Sequence, residues 1–280
     1  MPTIEGVLRS ELRVGPTAEI FVNDTVNGPY FTMQSAIDAC VDNRGDIILK
    51  ARGGEEVTST VNFNKAGIRV VSVGPTMAPL AQGEFHSIYA DAAFVDGPVA
   101  TFTADRCVVD GLGFVSRDTG ATFWSGAAAL IGGGADANPF GVHLVNCRFP
   151  KWGLDNRIGL AIEGSSDVLI EHCGFEGVGS NFETGIYVQG ATANLTVEGC
   201  VFRDCTYGIT HGAFAGGGPD ALYKGNTFLA GKVLDAGGNA AIALLTDNYS
   251  QFATNATSYS DTVSALQTLG IEFSGNHYSE

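Results

Sequence analysis

The sequence predicts an all-β chain wound into a single-stranded parallel β-solenoid, and three observations predict it. The first is a phrase that occurs four times: Val142-His143-Leu144-Val145-Asn146-Cys147-Arg148-Phe149, then 168–175, 195–202 and 221–228. Its closing Phe149, Phe175, Phe202 and Phe228 are 26, 27 and 26 residues apart. A weaker copy, Val109 to Phe114, precedes them. A fixed period in this range marks a stacked repeat. The second observation is the period-2 alternation within each copy (Val142 and Leu144, Val168 and Ile170, Leu195 and Val197), which slips by one residue at Asn146, His172, Gly199 and Gly225. Alternation means a strand with one buried face, so the slip is a one-residue corner between two strands. Beyond it Cys147 and Phe149, like Cys173 and Phe175, return to the buried set. The third is a set of glycine–hydrophobe starts, Gly159-Leu160, Gly185-Ile186 and Gly208-Ile209, which read as a further strand in each period. A unit this short cannot bury its apolar face alone. Successive units must stack strand on like strand, roughly 4.8 Å apart.

Taken in order, residues 1–28 do not fit the repeat. They hold two extended segments, Ile4 to Arg9 and Ala18 to Val22, separated by Gly15-Pro16. Two readings stand: a frayed leader plus one strand of the cap, or an arm that docks on a neighbouring subunit through Ile4, Leu8 and Phe21. A short helix is expected near residues 32–43, with Thr32 as its N-cap. It would cover the open end of the apolar core and block edge pairing. Strands follow at Gly45 to Lys50, Gly53 to Val61 and Lys65 to Val71. Residues 116–140 lengthen one coil and carry Phe123, Trp124 and Gly132-Gly133-Gly134. Loops on a rigid stack often carry function, and these two aromatics would pack on the coil, meet a subunit or stack on a sugar. The regular region is expected to span residues 29–250. Residues 251–280 read as a C-terminal cap with a short helix from Ser258 to Leu269, although Asp247-Asn248-Tyr249 and Gly275-Asn276-His277 echo Gly225-Asn226-Thr227.

The chain is acidic, with 15 Lys and Arg against 30 Asp and Glu. That disfavours nucleic acid and anionic membranes as partners, and no apolar run is long enough to span a bilayer. The first residues lack the basic-then-apolar run of a signal peptide, which points to synthesis in a cytoplasm. The six cysteines form no C-x-x-C, so no zinc or other metal site is expected. Cys147, Cys173 and Cys200 read as one inward column of small buried residues. No cofactor motif appears.

The form V-x-I-x-N-C-x-F followed by G-I-x-V resembles the right-handed parallel β-helix of the pectate-lyase-like superfamily. The N-terminal helix, Gly45-Asp46-Ile47-Ile48-Leu49 and Lys65-Ala66-Gly67-Ile68-Arg69-Val70 resemble that superfamily's capping helix and first rungs. The resemblance implies a right-handed coil. It also raises carbohydrate chemistry, for which an enzyme would draw on Asp155, Arg157, Glu183, Asp204 and His211, with Glu163 nearby. Glycosidic cleavage needs two carboxyls converging about 5–9.5 Å apart. The Asn-Thr-Asp, Asp-Asp and Arg-x-Lys of polygalacturonases are missing, and Thr210-His211-Gly212 only echoes their Gly-His-Gly. Arg117-Asp118-Thr119 is a poor echo of the esterases' Gln-Asp-Thr. Glu171 and Glu198 share an outward column with Lys224, which reads as a solvated face in which the lysine relieves a glutamate.

In its cap, its first rungs and its N-C-x-F coils the chain is also similar to short β-helix proteins of tailed bacteriophages. That likeness implies a structural virion protein, a capsid decoration (cement) or tail-associated component. Its partners would be the major capsid protein, other virion proteins or sister copies, with a trimer as one homo-oligomer the fold allows. The alternative is a polysaccharide lyase or glycoside hydrolase, or a glycan-binding β-helix without chemistry.

Overall fold

The computed structural model describes residues 20–23, 30–50, 53–72, 86–91, 94, 97–116, 126–133, 138–150, 158–177, 182–190, 192–212, 220–229, 232–235, 242–251 and 271–279. They build three parallel sheets of ten, nine and seven strands, here sheets A, B and C. The chain runs through A, B and C in turn and each strand pairs with its counterpart one coil away, as the repeat requires.

One coil shows how the residues make this path. Leu195–Glu198 lies in sheet A, Val201–Arg203 in sheet B and Cys205–His211 in sheet C. Between A and B the corner residue has a positive φ, +64° at Gly199 and +52° at both Asn146 and His172. That left-handed step explains why Asn, His, Asp and Gly occupy the slip position. The proposed corners are therefore confirmed. The third strands begin just before the expected glycines: Ile158–Glu163, Phe182–Gln189 and Cys205–His211.

Inward residues form continuous columns. In sheet A these are Ile48, Val70, Val109, Leu144, Ile170, Val197, Tyr223 and Leu245. In sheet B, Phe149, Phe175, Phe202 and Phe228 stack with centroids 4.7, 4.8 and 4.7 Å apart and planes within 6°. Cys147, Cys173 and Cys200 are buried thiols outside any disulfide, as are Cys40, Cys107 and Cys205.

The expected cap is the helix α1 (Met33–Ala39), shorter than the predicted 32–43. Thr32 is its N-cap and forms a capping box with Ser35. The helix stops because Cys40 turns extended, with φ −71° and ψ 153°, and the next amide, Val41 N–H, donates to Asp46 Oδ2 at 2.8 Å. Asp46 is fully buried and takes a two-point contact from Arg44, at 2.6 and 2.8 Å. At the other end of α1, Met33 N–H donates to Glu55 Oε1 at 2.7 Å, and Lys50 Nζ lies 3.9 Å from Glu55 Oε2. The predicted strand 53–61 is two elements, Gly54–Val57 in sheet B and Val61–Phe63 in sheet C.

Both ends extend the stack beyond the sequence's expectation. Ile20–Asn23 pairs in parallel with Ile47–Lys50, so Phe21, assigned to the docking arm, sits on a strand of sheet A. Ile4 and Leu8 lie outside the described residues. Ile271–Ser274 and His277–Ser279 add a further strand to sheets A and B, so the echo at Gly275-Asn276 is a coil of the stack. The helix expected at 258–269 lies outside the described residues.

Candidate functional site

The residues proposed for chemistry do not form one cluster among those described. Asp204 is exposed at the corner between sheets B and C, with φ +55°, and its backbone N–H donates to Leu229 O at 3.1 Å. His211 stands at the far end of the following strand and is fully buried in the core. The expectation that His211 faces an outward groove is thus corrected: its position in sheet C pairs with the inward Val188. Glu183 is on the strand Phe182–Gln189, but its side chain lies outside the described residues, as do Asp155 and Arg157. Glu163 is half-buried at the end of its strand. Phe123 and Trp124 lie outside the described residues.

His211 is held by Tyr223, with Nε2 2.6 Å from the phenol oxygen. Burial alone pushes the His211 pKa down to about 4 and pushes the Tyr223 phenol up. A neutral imidazole sealed from solvent cannot exchange protons with a substrate outside the coil. Two of the buried thiols are shifted away from reactivity as well. Burial, with Asp105 and Asp42 nearby, raises Cys107 to about 12, and burial together with Cys147 and Cys200 raises Cys173. Nucleophilic cysteines need the opposite shift.

The outward face of sheet A carries the expected charged column. Lys224 Nζ is 3.1 Å from Glu198 Oε1, which is the relief the sequence predicted. Glu171 has a partner that went unread: His143 Nε2, at 2.7 Å. The signal was present, because superposing the phrases sets His143 diagonally across the rung from Glu171. Among the described residues no three His, Cys, Asp or Glu side chains converge as a metal site would require. No described helix is long and apolar enough to cross a membrane.

Sequence reading also missed the outer face of sheet C. Ala127, Leu130, Ile158, Ala161 and Tyr187 form a second apolar cluster there, separate from the core and buried. The strand of Tyr187 and the next one also carry hydroxyls, with Thr184 Oγ1 and Thr210 Oγ1 3.0 Å apart. Alternation cannot reveal such a cluster, because it marks only which face of a strand points inward.

The family model described as "right handed beta helix region" matches residues 127–279, more than half of the chain. The chain belongs to the right-handed β-helix family. A solved structure agrees at the level of fold. A rhamnogalacturonan lyase superposes on this β-helix with TM-score 0.50 at 14% identity, over 83% of this chain and 74% of that one. A pectin methylesterase in complex with a hexasaccharide gives 0.49 at 9% identity, over 82% and 78%. The ORF18 protein of Geobacillus virus E2 gives 0.32 at 15% identity, over 90% and 63%. At 14% identity the likeness to the lyase is one of fold alone. No curated protein sequence matches this β-helix.

Proposed function

We propose that this β-helix is a non-catalytic structural component of a tailed-bacteriophage virion, a capsid decoration or tail-associated protein that acts by protein–protein binding. The observation that carries the non-catalytic reading is the place of His211: it is locked in the core against Tyr223 while Asp204 faces solvent at the opposite end of the strand. The outward carboxylates Glu171 and Glu198 are engaged by His143 and Lys224. Columns of stacked rings and apolar side chains suit a rigid block whose job is to hold shape. The virion assignment rests on the resemblance of the cap, the first rungs and the N-C-x-F coils to short phage β-helix proteins. The acidic balance, net −15, fits partners that are themselves proteins.

The test is to count the protein in purified particles of the phage that encodes it, by quantitative mass spectrometry. A fixed copy number that is a multiple of the particle's symmetry supports the reading. Absence from particles, together with depolymerisation of a glycan by the purified protein, overturns it.

A further inference from the structure

The three sheets end differently at the cap. Sheet C ends on Val61–Phe63, and α1 covers that edge: Asn62 N–H donates to Gln34 Oε1 at 2.7 Å, and Gln34 Nε2 reaches Asn62 O at 3.5 Å. Sheet B ends on Gly54–Val57, where Glu55 accepts from the first amide of α1. Sheet A runs on past this level. Its last strand, Ile20–Asn23, lies beyond Ile47–Lys50 and pairs with that strand alone among the described residues.

An edge strand presents a row of N–H and C=O groups that template a further strand. Proteins blunt such edges with Lys, with Pro or with a covering helix. Ile20-Phe21-Val22-Asn23 holds neither residue, and its first three members are strong strand formers. The hydrogen bonds just described tie α1 to sheets B and C. Exposed apolar surface gathers at the same end of the stack. Phe31 (64% exposed) and Val41 (48%) flank α1 and are the most exposed large hydrophobic side chains among the described residues.

The length of the chain ahead of this strand decides what would cover its edge. The sequence holds one more extended segment, Ile4 to Arg9, and residues 10–19 separate it from Ile20. Parallel pairing, the rule at this end of the stack, needs a crossover of about a dozen residues or more within one chain. Residues 10–19 are too few. An antiparallel return is commonly made by a loop of about 2–5 residues, and residues 10–19 are too many. A second copy brings the same segment to the edge with neither restriction.

We infer that residues 4–9 of a second copy add to sheet A as the strand beyond Ile20–Asn23, and that two chains exchange these arms to form a dimer through their cap ends. Main-chain hydrogen bonds carry the affinity of strand addition. A reciprocal exchange uses the same patch on both chains and so closes at two copies. Phe31 and Val41 lie at the end of the stack that the incoming chain covers. The inference goes beyond the virion reading and does not depend on it.

The test is sedimentation equilibrium of the full chain from micromolar to millimolar concentration, with hydrogen exchange on the same samples. Wild type is compared with the double variant Val7→Pro, Leu8→Pro. Proline cannot donate to a ladder. Neighbouring N–H groups of a strand point to opposite edges, so one of the two prolines removes a donor facing Ile20–Asn23 in either register. The expected result is a wild-type dimer with slow exchange at 4–9 and 20–23. The variant's dimer should be weaker by about tenfold or more, with faster exchange at both segments. A wild type that stays monomeric overturns the proposal, and slow exchange at 4–9 in that monomer would assign the arm to its own chain. A dimer of equal strength in the variant also overturns it, because another face then joins the copies.

Discussion

The ring of Phe202 fills the space that a side chain on Gly185 would need: a Cβ there would lie 2.6 Å from the ring's Cδ1. The same relation joins Phe175 to Gly159 and Phe228 to Gly208 in the coils on either side. The aromatic column of sheet B therefore requires a column without side chains in sheet C, where Gly159, Gly185 and Gly208 face inward. The glycines were read as strand starts; they are the sockets for the rings.

Gly185→Ala is expected to destabilise the protein by about 1–3 kcal/mol, because the ring must leave its stack or the strand must shift. Gly174 is the control. It lies in sheet B, and a Cβ there would meet nothing closer than 3.7 Å. Gly174→Ala should be neutral or raise stability by about 0.4–1 kcal/mol, through the unfolded chain. Thermal unfolding followed by circular dichroism separates the two, and equal midpoints would contradict the socket.

The inward position after the A-to-B corner carries a second ladder, of hydrogen bonds. Asn248 Nδ2 donates to Tyr223 O, and Asn248 Oδ1 accepts from Asn226 N–H, each at 2.9 Å. Asn276 repeats this one coil on, with Leu245 O and Asn248 N–H. Cys147, Cys173 and Cys200 are the thiol form of the same column: their S–H groups donate to Val109 O, Leu144 O and Ile170 O at 3.5 Å. Asn248→Leu keeps the branched shape without the polar atoms and should cost about 1–3 kcal/mol for each backbone group left without a partner. Cys200→Asn should instead extend the ladder and raise stability by about 0.5–1.5 kcal/mol. Urea midpoints check both signs. A loss at Cys200→Asn would mean that the thiol column is packed too tightly for the amide.

These cases show what was legible. Inward and outward faces, corners and the cap could be read from period and slip, because each is a property of neighbouring residues. The asparagine ladder was half-visible, as the echo at Asp247-Asn248 and Gly275-Asn276. Only the register shows that these amides continue the cysteine column. His211 and Tyr223 were harder still. They lie on different sheets, and alternation within one strand says nothing about a partner across the core. Comparing each residue with its column, coil by coil, would have marked both as polar exceptions. The catalytic grouping of Asp204 with His211 failed for a related reason: nearness along the chain does not give a shared surface, since Asp204 faces solvent at a corner while His211 points from sheet C into the core.

The thiols offer a direct check on the cysteine column. Burial holds Cys173 and Cys107 well above the usual thiol range, so their thiolate fraction at pH 8 is negligible and reagents cannot reach them. A chromogenic disulfide reagent should therefore titrate none of the six cysteines in the native protein at pH 8 and all six once the chain is unfolded in guanidinium. Fast reaction of even one thiol under native conditions would show that the column is not sealed.

The last prediction concerns the cap. Glu55 accepts from the first amide of α1 at 2.7 Å and lies 3.9 Å from the ammonium of Lys50. Lys50 and Glu55 are only 2% and 4% exposed. Removing the carboxylate takes the acceptor from the first helix amide and one partner from a buried lysine, and breaking one side of a buried pair costs about 3–5 kcal/mol. Glu55→Ala should therefore destabilise far more than Glu198→Ala. That second change breaks the half-exposed Lys224 pair on the face of sheet A and should cost no more than about 1 kcal/mol. The loss at Glu55 should also be local at first: hydrogen exchange is expected to rise in α1 and in 47–50 before it rises in the later coils. Equal costs for the two variants would mean that the cap is not fastened to the stack through Glu55.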